Sequence, residues 1–271
     1  MSHLERVRAK YTADSDVGFP FSVPVIRSFT ELEVGPAVTF FVGENGSGKS
    51  TLLEAIALAA GLPFVGADEG FRDPSFQQQR RLAAGLGLTW RRRTHRGFFL
   101  RAEDFFGWQR RLVRERADLE MRLTDIEREY RDQGRSDHAL GLARGPMTSS
   151  LNDMERRYGR DPDARSHGEA FLSLFGSRFA PGSLVLLDEP EAALSPQSQL
   201  GLLAMMLDMA PRESQFLIAT HSPIILGYPG ALIYSFDGGR IERAAYDDLN
   251  HVRLTRDFLA DRERFLRRLS G

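Results

Sequence analysis

The stretch Gly43-Glu44-Asn45-Gly46-Ser47-Gly48-Lys49-Ser50, followed by Thr51, has phosphate-loop spacing: Gly, four residues, Gly-Lys, then Ser or Thr. Its glycines let the backbone curl into a nest whose N–H groups face phosphate oxygens. Lys49 is a compact cation able to reach the β- and γ-phosphates of a nucleoside triphosphate. The Ser50 hydroxyl can ligate Mg²⁺. Lys10 and Lys49 are the only lysines, and the other 34 of the 36 basic residues are arginine. A lysine therefore stands where a planar guanidinium fork would not fit.

Three further stretches carry chemistry. Asp188-Glu189-Pro190-Glu191 follows the apolar run Ser183 to Leu187. A carboxylate at such a strand end can hold Mg²⁺ (Asp188), and its neighbour can orient and deprotonate a water molecule (Glu189). His221 follows the apolar run Gln215 to Thr220 and can hydrogen-bond a terminal phosphate or that water. Ser166-His167-Gly168-Glu169 opens an apolar helix. It reads either as an anion-binding helix end or as a capping box.

The elements needed to position these groups are legible. Ala37 to Val42 is short and apolar, a strand before the loop. Thr51 to Ala60 has helical spacing and helix-forming residues, and Gly61 and Pro63 stop it. Ser183 to Leu187 and Gln215 to Thr220 are continuous apolar runs, the pattern of buried parallel strands. The chain is expected to form an α/β P-loop fold. It has a mainly parallel central sheet, antiparallel N-terminal and edge strands, and an inserted helical lobe.

Elsewhere the pattern predicts a polar arm over residues 1–16 and an edge strand from Phe19 to Ile26, whose aromatics either stack on adenine or pack on the sheet. A hairpin through Thr94-His95 is expected to join strands at 87–91 and 96–101. One long helix runs from Asp104 to Gln133, with Leu112, Leu119, Leu123, Ile126 and Tyr130 as a single apolar stripe. One helix is expected around Ser149 to Tyr158, a helix from Gln197 to Met209, a hairpin turned at Asp237-Gly238-Gly239, and a C-terminal helix from Asp248 to Leu269.

The 271 residues suffice for one large domain, and a net charge of −1 gives no global signal for nucleic acid or anionic membrane. There is no cysteine, which excludes disulfides and thiolate chemistry and fits a cytoplasmic protein. No apolar signal-peptide core or membrane span is present, so work at a membrane would need a membrane partner. Between Arg80 and Arg116 eleven arginines stand against three acids. This segment is either a face for DNA or another partner, or solvated surface balanced by acids elsewhere.

With these motifs in this order the chain resembles ABC-type ATPases in the wide sense that includes SMC, RecF-like and OLD-like proteins, and stand-alone bacterial AAA/ABC-like ATPases. Gly43 to Ser50 is similar to the Walker A loop, and Leu184 to Glu189 to Walker B with its catalytic glutamate. Ser166 to Glu169 resembles a shortened signature motif, Ala192 to Ser195 the D-loop, and His221 the switch histidine. The resemblance spans about Phe19 to Phe236 and implies ATP and Mg²⁺ as ligands. It implies ATP hydrolysis with Glu189 and His221 as catalytic residues and Ser50 and Asp188 on the metal. It also implies an ATP-dependent head-to-tail homodimer in which Ser166, Gly168 and Glu169 act on the partner's nucleotide. The expected organisation is a single domain with a core lobe at about 17–103 and 170–271 and a helical lobe at about 104–169. Three departures stand out. The signature has Glu169 where transporters carry Gln. No Q-loop glutamine is present, and Arg101 or Glu103 stands in its place. No long coiled coil is inserted. Three roles stay open: a stand-alone ATPase in DNA repair or defence, the ATP-binding subunit of a transporter, and a slow ATP-dependent switch.

Overall fold

The computed structural model describes residues 3–11, 18–65, 76–158 and 167–270. Its centre is a seven-stranded sheet. The sheet comprises β3 (Val38–Val42), β4 (Phe64–Val65), β6 (Gly97–Arg101), β7 (Leu184–Asp188), β8 (Gln215–Ala219), β9 (Leu232–Ser235) and β10 (Glu242–Arg243), in the order β10-β9-β3-β8-β7-β6-β4. All neighbours are parallel except β9 and β10. The expected hairpin at 237–239 and the mainly parallel sheet are both present.

Alternation along each strand explains why the runs are apolar throughout. Phe41, Leu184, Leu186, Leu217 and Ala219 face one core, with α2 (Lys49–Ala60) above it. Phe40, Val185, Leu187, Phe216 and Ile218 face a second core, covered by α6 (His167–Arg178), α7 (Pro196–Met209) and α8 (Asn250–Ala260). Aromatic rings fill much of the second layer, where Phe171, Phe175, Phe179 and Phe216 lie in successive contact.

Several expectations need correction. Residues 4–9 are not a loose arm but β1 (Leu4–Ala9), with Leu4 and Val7 fully buried. β1 sits between β2 (Glu31–Glu33) and β5 (Leu86–Trp90) in a small antiparallel sheet. Half of its residues are charged and its buried pair, Leu4 and Val7, lies three apart across a register shift, so no two-residue alternation announces the strand. The hairpin through Thr94-His95 does not form. β5 joins the small sheet, whereas β6 lies parallel to β7, because the fully apolar Phe98-Phe99-Leu100 needs burial on both faces. The expected edge strand at 19–26 is instead a turn leading into α1 (Pro24–Ser28), where proline occupies the first helical position. Phe21 is core, edge-on to Tyr11 with ring centroids 4.9 Å apart, while Phe19 is 47% exposed.

α3 (Gln77–Ala84) packs beside α2, and α4 (Ala102–Asp132) reproduces the long helix with its half-buried apolar stripe. α5 (Asp137–Tyr158) is much longer than expected, continuing through Pro146 and the glycines that suggested a loop, because it packs along α4. The C-terminal helix is broken at Asp261 into α8 and α9 (Arg262–Ser270). The arginines of 80–116 do not share one face. Arg80 and Arg81 ride on α3, Arg91, Arg92, Arg93 and Arg96 lie between β5 and β6, Arg101 at the C-terminal end of β6, and the rest on α4. No helix among the described residues is long and apolar enough to cross a membrane.

Candidate nucleotide site

The C-terminal ends of β3, β6, β7 and β8 meet at one edge of the sheet, and four short segments leave it there. The loop after β3 turns on Gly43, Gly46 and Gly48, all at positive φ, before α2 begins at Lys49. At Gly48 a side chain would press on Val23, and at Gly43 on Phe236 and Asp237. The loop is held from outside by Asp237, whose Oδ1 accepts the Glu44 N–H at 2.9 Å. Within it the Ser47 hydroxyl is buried without a partner.

Lys49 is only 3% exposed. Its Nζ donates to Gly43 O at 2.6 Å and Glu44 O at 2.9 Å, so the ammonium closes on its own loop. Burial pulls its pKa below the ordinary lysine value, against the opposing pull of Glu189 and Asp188. One residue on, Ser50 Oγ donates to Asp188 Oδ1 at 2.9 Å. Asp188, also 3% exposed, has its carboxyl pushed up to about 6 by burial; the Ser50 hydrogen bond and the Arg101 charge act in the other direction.

Glu189 follows in a left-handed conformation (φ 49°, ψ 50°), rare for a side chain of its size. Its N–H is fixed by Ala219 O at 2.9 Å, and its Oε1 lies 3.8 Å from His221 Nε2. That imidazole nitrogen is buried and makes no hydrogen bond. The structure thus brings Lys49, Ser50, Asp188, Glu189 and His221 together. Ser166 lies outside the described residues. Gly168 and Glu169 belong to the first turn of α6.

Four residues take positioning roles that the sequence reading did not assign them. Glu191 accepts Thr220 Oγ1 at 2.7 Å and the His221 N–H at 2.5 Å, tying the β7 exit to the β8 exit. Asp237 braces the loop. Arg101, at the end of β6, pairs with Glu54 of α2 and places Nε 3.5 Å from Asp188 Oδ2. The two acids are almost fully buried, so the pair satisfies charges that would otherwise be stranded. His251, at the start of α8, sets its ring 6.3 Å from that of His221, with its own Nε2 also buried and unpartnered. Glu191 lay within the Asp188–Glu191 motif and Arg101 at the Q-loop position; Asp237 and His251 reach the site by tertiary packing alone. A cavity of about 210 Å³ lies between Ser50, Arg101, Glu103, Asp188, Glu189 and Ala192.

Residues 79–227 match the family described as "AAA domain, putative AbiEii toxin, Type IV TA system", and residues 22–130 match a second AAA domain family. No curated protein matched. Among solved structures the chain is similar to a nucleotide-free ATP-binding cassette from an ABC transporter. That match has 18% identity, covers 96% of each chain and has a TM-score of 0.47. The Smc head domain of Pyrococcus furiosus bound to the C-terminal domain of ScpA matches at 13% identity, with 97% of this chain and 100% of that chain covered and a TM-score of 0.44. The ADP conformation of an ATP-binding cassette from an ABC transporter matches at 17% identity, 96% of each chain and a TM-score of 0.47. The family match spans more than half of the chain and includes Asp188, Glu189 and His221, so the protein belongs to this AAA domain family, within the ABC- and AAA-like ATPases.

Proposed function

We propose that the protein binds ATP with Mg²⁺ at the Gly43–Thr51 loop and hydrolyses it. The observation that carries this reading is the 2.9 Å bond from Ser50 to Asp188, which joins a phosphate loop and a strand-end carboxylate 138 residues apart. The donor set fits the ligands. Ser50 Oγ and Asp188 are oxygen donors suited to Mg²⁺, whose remaining positions are commonly filled by phosphate oxygens and water. The unpartnered Ser47 hydroxyl and the glycine-rich backbone suit phosphate oxygens. When bound, the metal would neutralise charge on the β- and γ-phosphates.

The chain's own residues supply the rest. Lys49 exchanges its loop carbonyls for phosphate oxygens, and burial strengthens that attraction. Glu189, held rigid by its backbone, orients a water and takes its proton. His221 Nε2 donates to the terminal phosphate, with its backbone fixed by Glu191. We read α4 and α5 as the helical lobe, over about 104–169. Head-to-tail pairing would bring Ser166, Gly168 and Glu169 of one copy onto the nucleotide of the other.

The test is ATP binding by calorimetry alongside phosphate release. Lys49→Ala is expected to lose both, whereas Glu189→Gln keeps binding and loses turnover by about 10²–10⁴-fold. Wild-type protein that neither binds nor turns over ATP would overturn the reading. Light scattering of Glu189→Gln with ATP tests the pairing: a dimer is expected, and a monomer sinks it.

A further inference from the structure

The N-terminal ends of β6, β7 and β8 lie at the opposite edge of the sheet from the phosphate loop. Strands of five residues at roughly 3.3 Å each put about 15 Å between the two edges. There a second pocket of about 520 Å³ opens, within the range of small-ligand sites. Its walls come from four separate parts of the chain: His3 ahead of β1, Arg92 to Arg96 between β5 and β6, Pro181-Gly182 ahead of β7, and Arg212-Glu213 ahead of β8.

Its charge is one-sided. Arg92, Arg93, Arg96 and Arg212 line it, against a single carboxylate, Glu213, among the described residues. Glu213 pairs with Arg92 at 3.0 Å, and Asp208 pairs with Arg212 at 2.8 Å. Among the described residues Arg93 and Arg96 make no ion pair. Gathering guanidinium groups around one concavity is unfavourable unless an anion joins them. Their planar forks match the paired oxygens of a phosphate.

The floor is fixed by a buried polar network. Thr94 is buried, its hydroxyl donating to Gly182 O at 3.0 Å and accepting the Arg96 N–H at 3.1 Å. His3, 3% exposed, donates its backbone N–H to Gln215 Oε1 at 3.0 Å, and its Nδ1 lies 3.2 Å from Arg92 O. A carbonyl only accepts, so Nδ1 carries the hydrogen. In that tautomer Nε2 is an acceptor, buried without a partner, so the arginines and not the imidazole meet an anion.

We propose that this pocket is a binding site for a phosphate group, separate from the nucleotide site. Two sources share that chemistry, the phosphates of a nucleic-acid strand and a free phosphate. The test uses the full chain and fluorescence anisotropy with a 3′-labelled single-stranded DNA, carrying either a 5′-phosphate or a 5′-hydroxyl. Inorganic phosphate is titrated in parallel by calorimetry. Arg93→Glu/Arg96→Glu is compared with Arg122→Glu/Arg128→Glu, a charge-matched change on exposed α4 positions. Circular dichroism and ATP binding check that both variants fold.

The pocket variant is expected to lose at least tenfold in affinity while the α4 variant does not. If the source is a strand, the slope of log K against log salt becomes shallower by about 1.4, two contacts at roughly 0.7 each. Equal binding of both strands assigns the backbone, preference for the 5′-phosphate assigns the terminus, and binding of inorganic phosphate alone assigns a free ligand. Absence of binding to every probe, or equal loss in both variants, overturns the proposal.

Discussion

Arg101 Nε lies 3.5 Å from Asp188 Oδ2, and the two residues are register partners on the adjacent parallel strands β6 and β7. The same guanidinium pairs with Glu54, 2% exposed on α2, and Arg101 is also the N-cap of α4. Removing it strands one acid and unbalances another. Arg101→Ala is expected to lower stability by about 3–5 kcal/mol in chemical denaturation. Arg101→Met with Glu54→Leu should recover part of that loss, since an apolar pair of similar volume removes the buried Glu54 charge, while Asp188 keeps only its Ser50 hydrogen bond. Equal losses in single and double variants would show that the ion pair is not the cause.

Glu191 bridges the exits of β7 and β8 without facing the cavity beside Asp188. If its role is to hold the His221 turn, Glu191→Ala lowers kcat about tenfold or more, with KM little changed. An interaction made mainly in the transition state behaves this way. A rise in KM with kcat preserved would instead place Glu191 in ground-state binding.

Burial, then the neighbouring His221, pull the pKa of His251 below the usual 6.5. A depressed folded pKa means the unfolded chain takes up the proton first. The contribution to stability is therefore present above about 6.5 and lost as the pH falls through the folded value. Thermal melts should show wild type losing Tm more steeply than His251→Gln between about pH 7 and pH 5. Parallel curves would remove His251 from the pH response.

Gly97 begins β6 at φ +132°, and a Cβ there would collide with the Leu184 carbonyl of β7. Gly97→Ala combines backbone strain with a clash against an immovable peptide. A loss of about 2–4 kcal/mol is expected. Gly227→Ala, where nothing lies within 4 Å, should stay within about 1 kcal/mol. Similar unfolding midpoints for the two variants would contradict the close approach.

The nucleotide site was legible wherever chemistry is local. Residues 43–51 had to bend, expose N–H groups and start a helix within a few positions, and few sequences do all three. The runs 184–188 and 215–219 announced buried parallel strands because both faces of each meet a core. What stayed hidden depended on a third party. β1 looks unremarkable until paired, β5 was expected as a strand but not in the small sheet, and the five-residue α1 replaced a strand because Pro24 suits a helix start. Glycine and Pro146 suggested a loop where contact with α4 sustains a helix. Asp237 and His251 carry no motif, and the Q-loop position did not show that Arg101 pairs with Glu54 and Asp188, since each is useful only through a neighbour remote in the chain. Local spacing thus determined which phosphate chemistry this chain can attempt. Tertiary packing alone decided which buried charges are balanced, and that the crowded arginines of 92–96 face a pocket away from it.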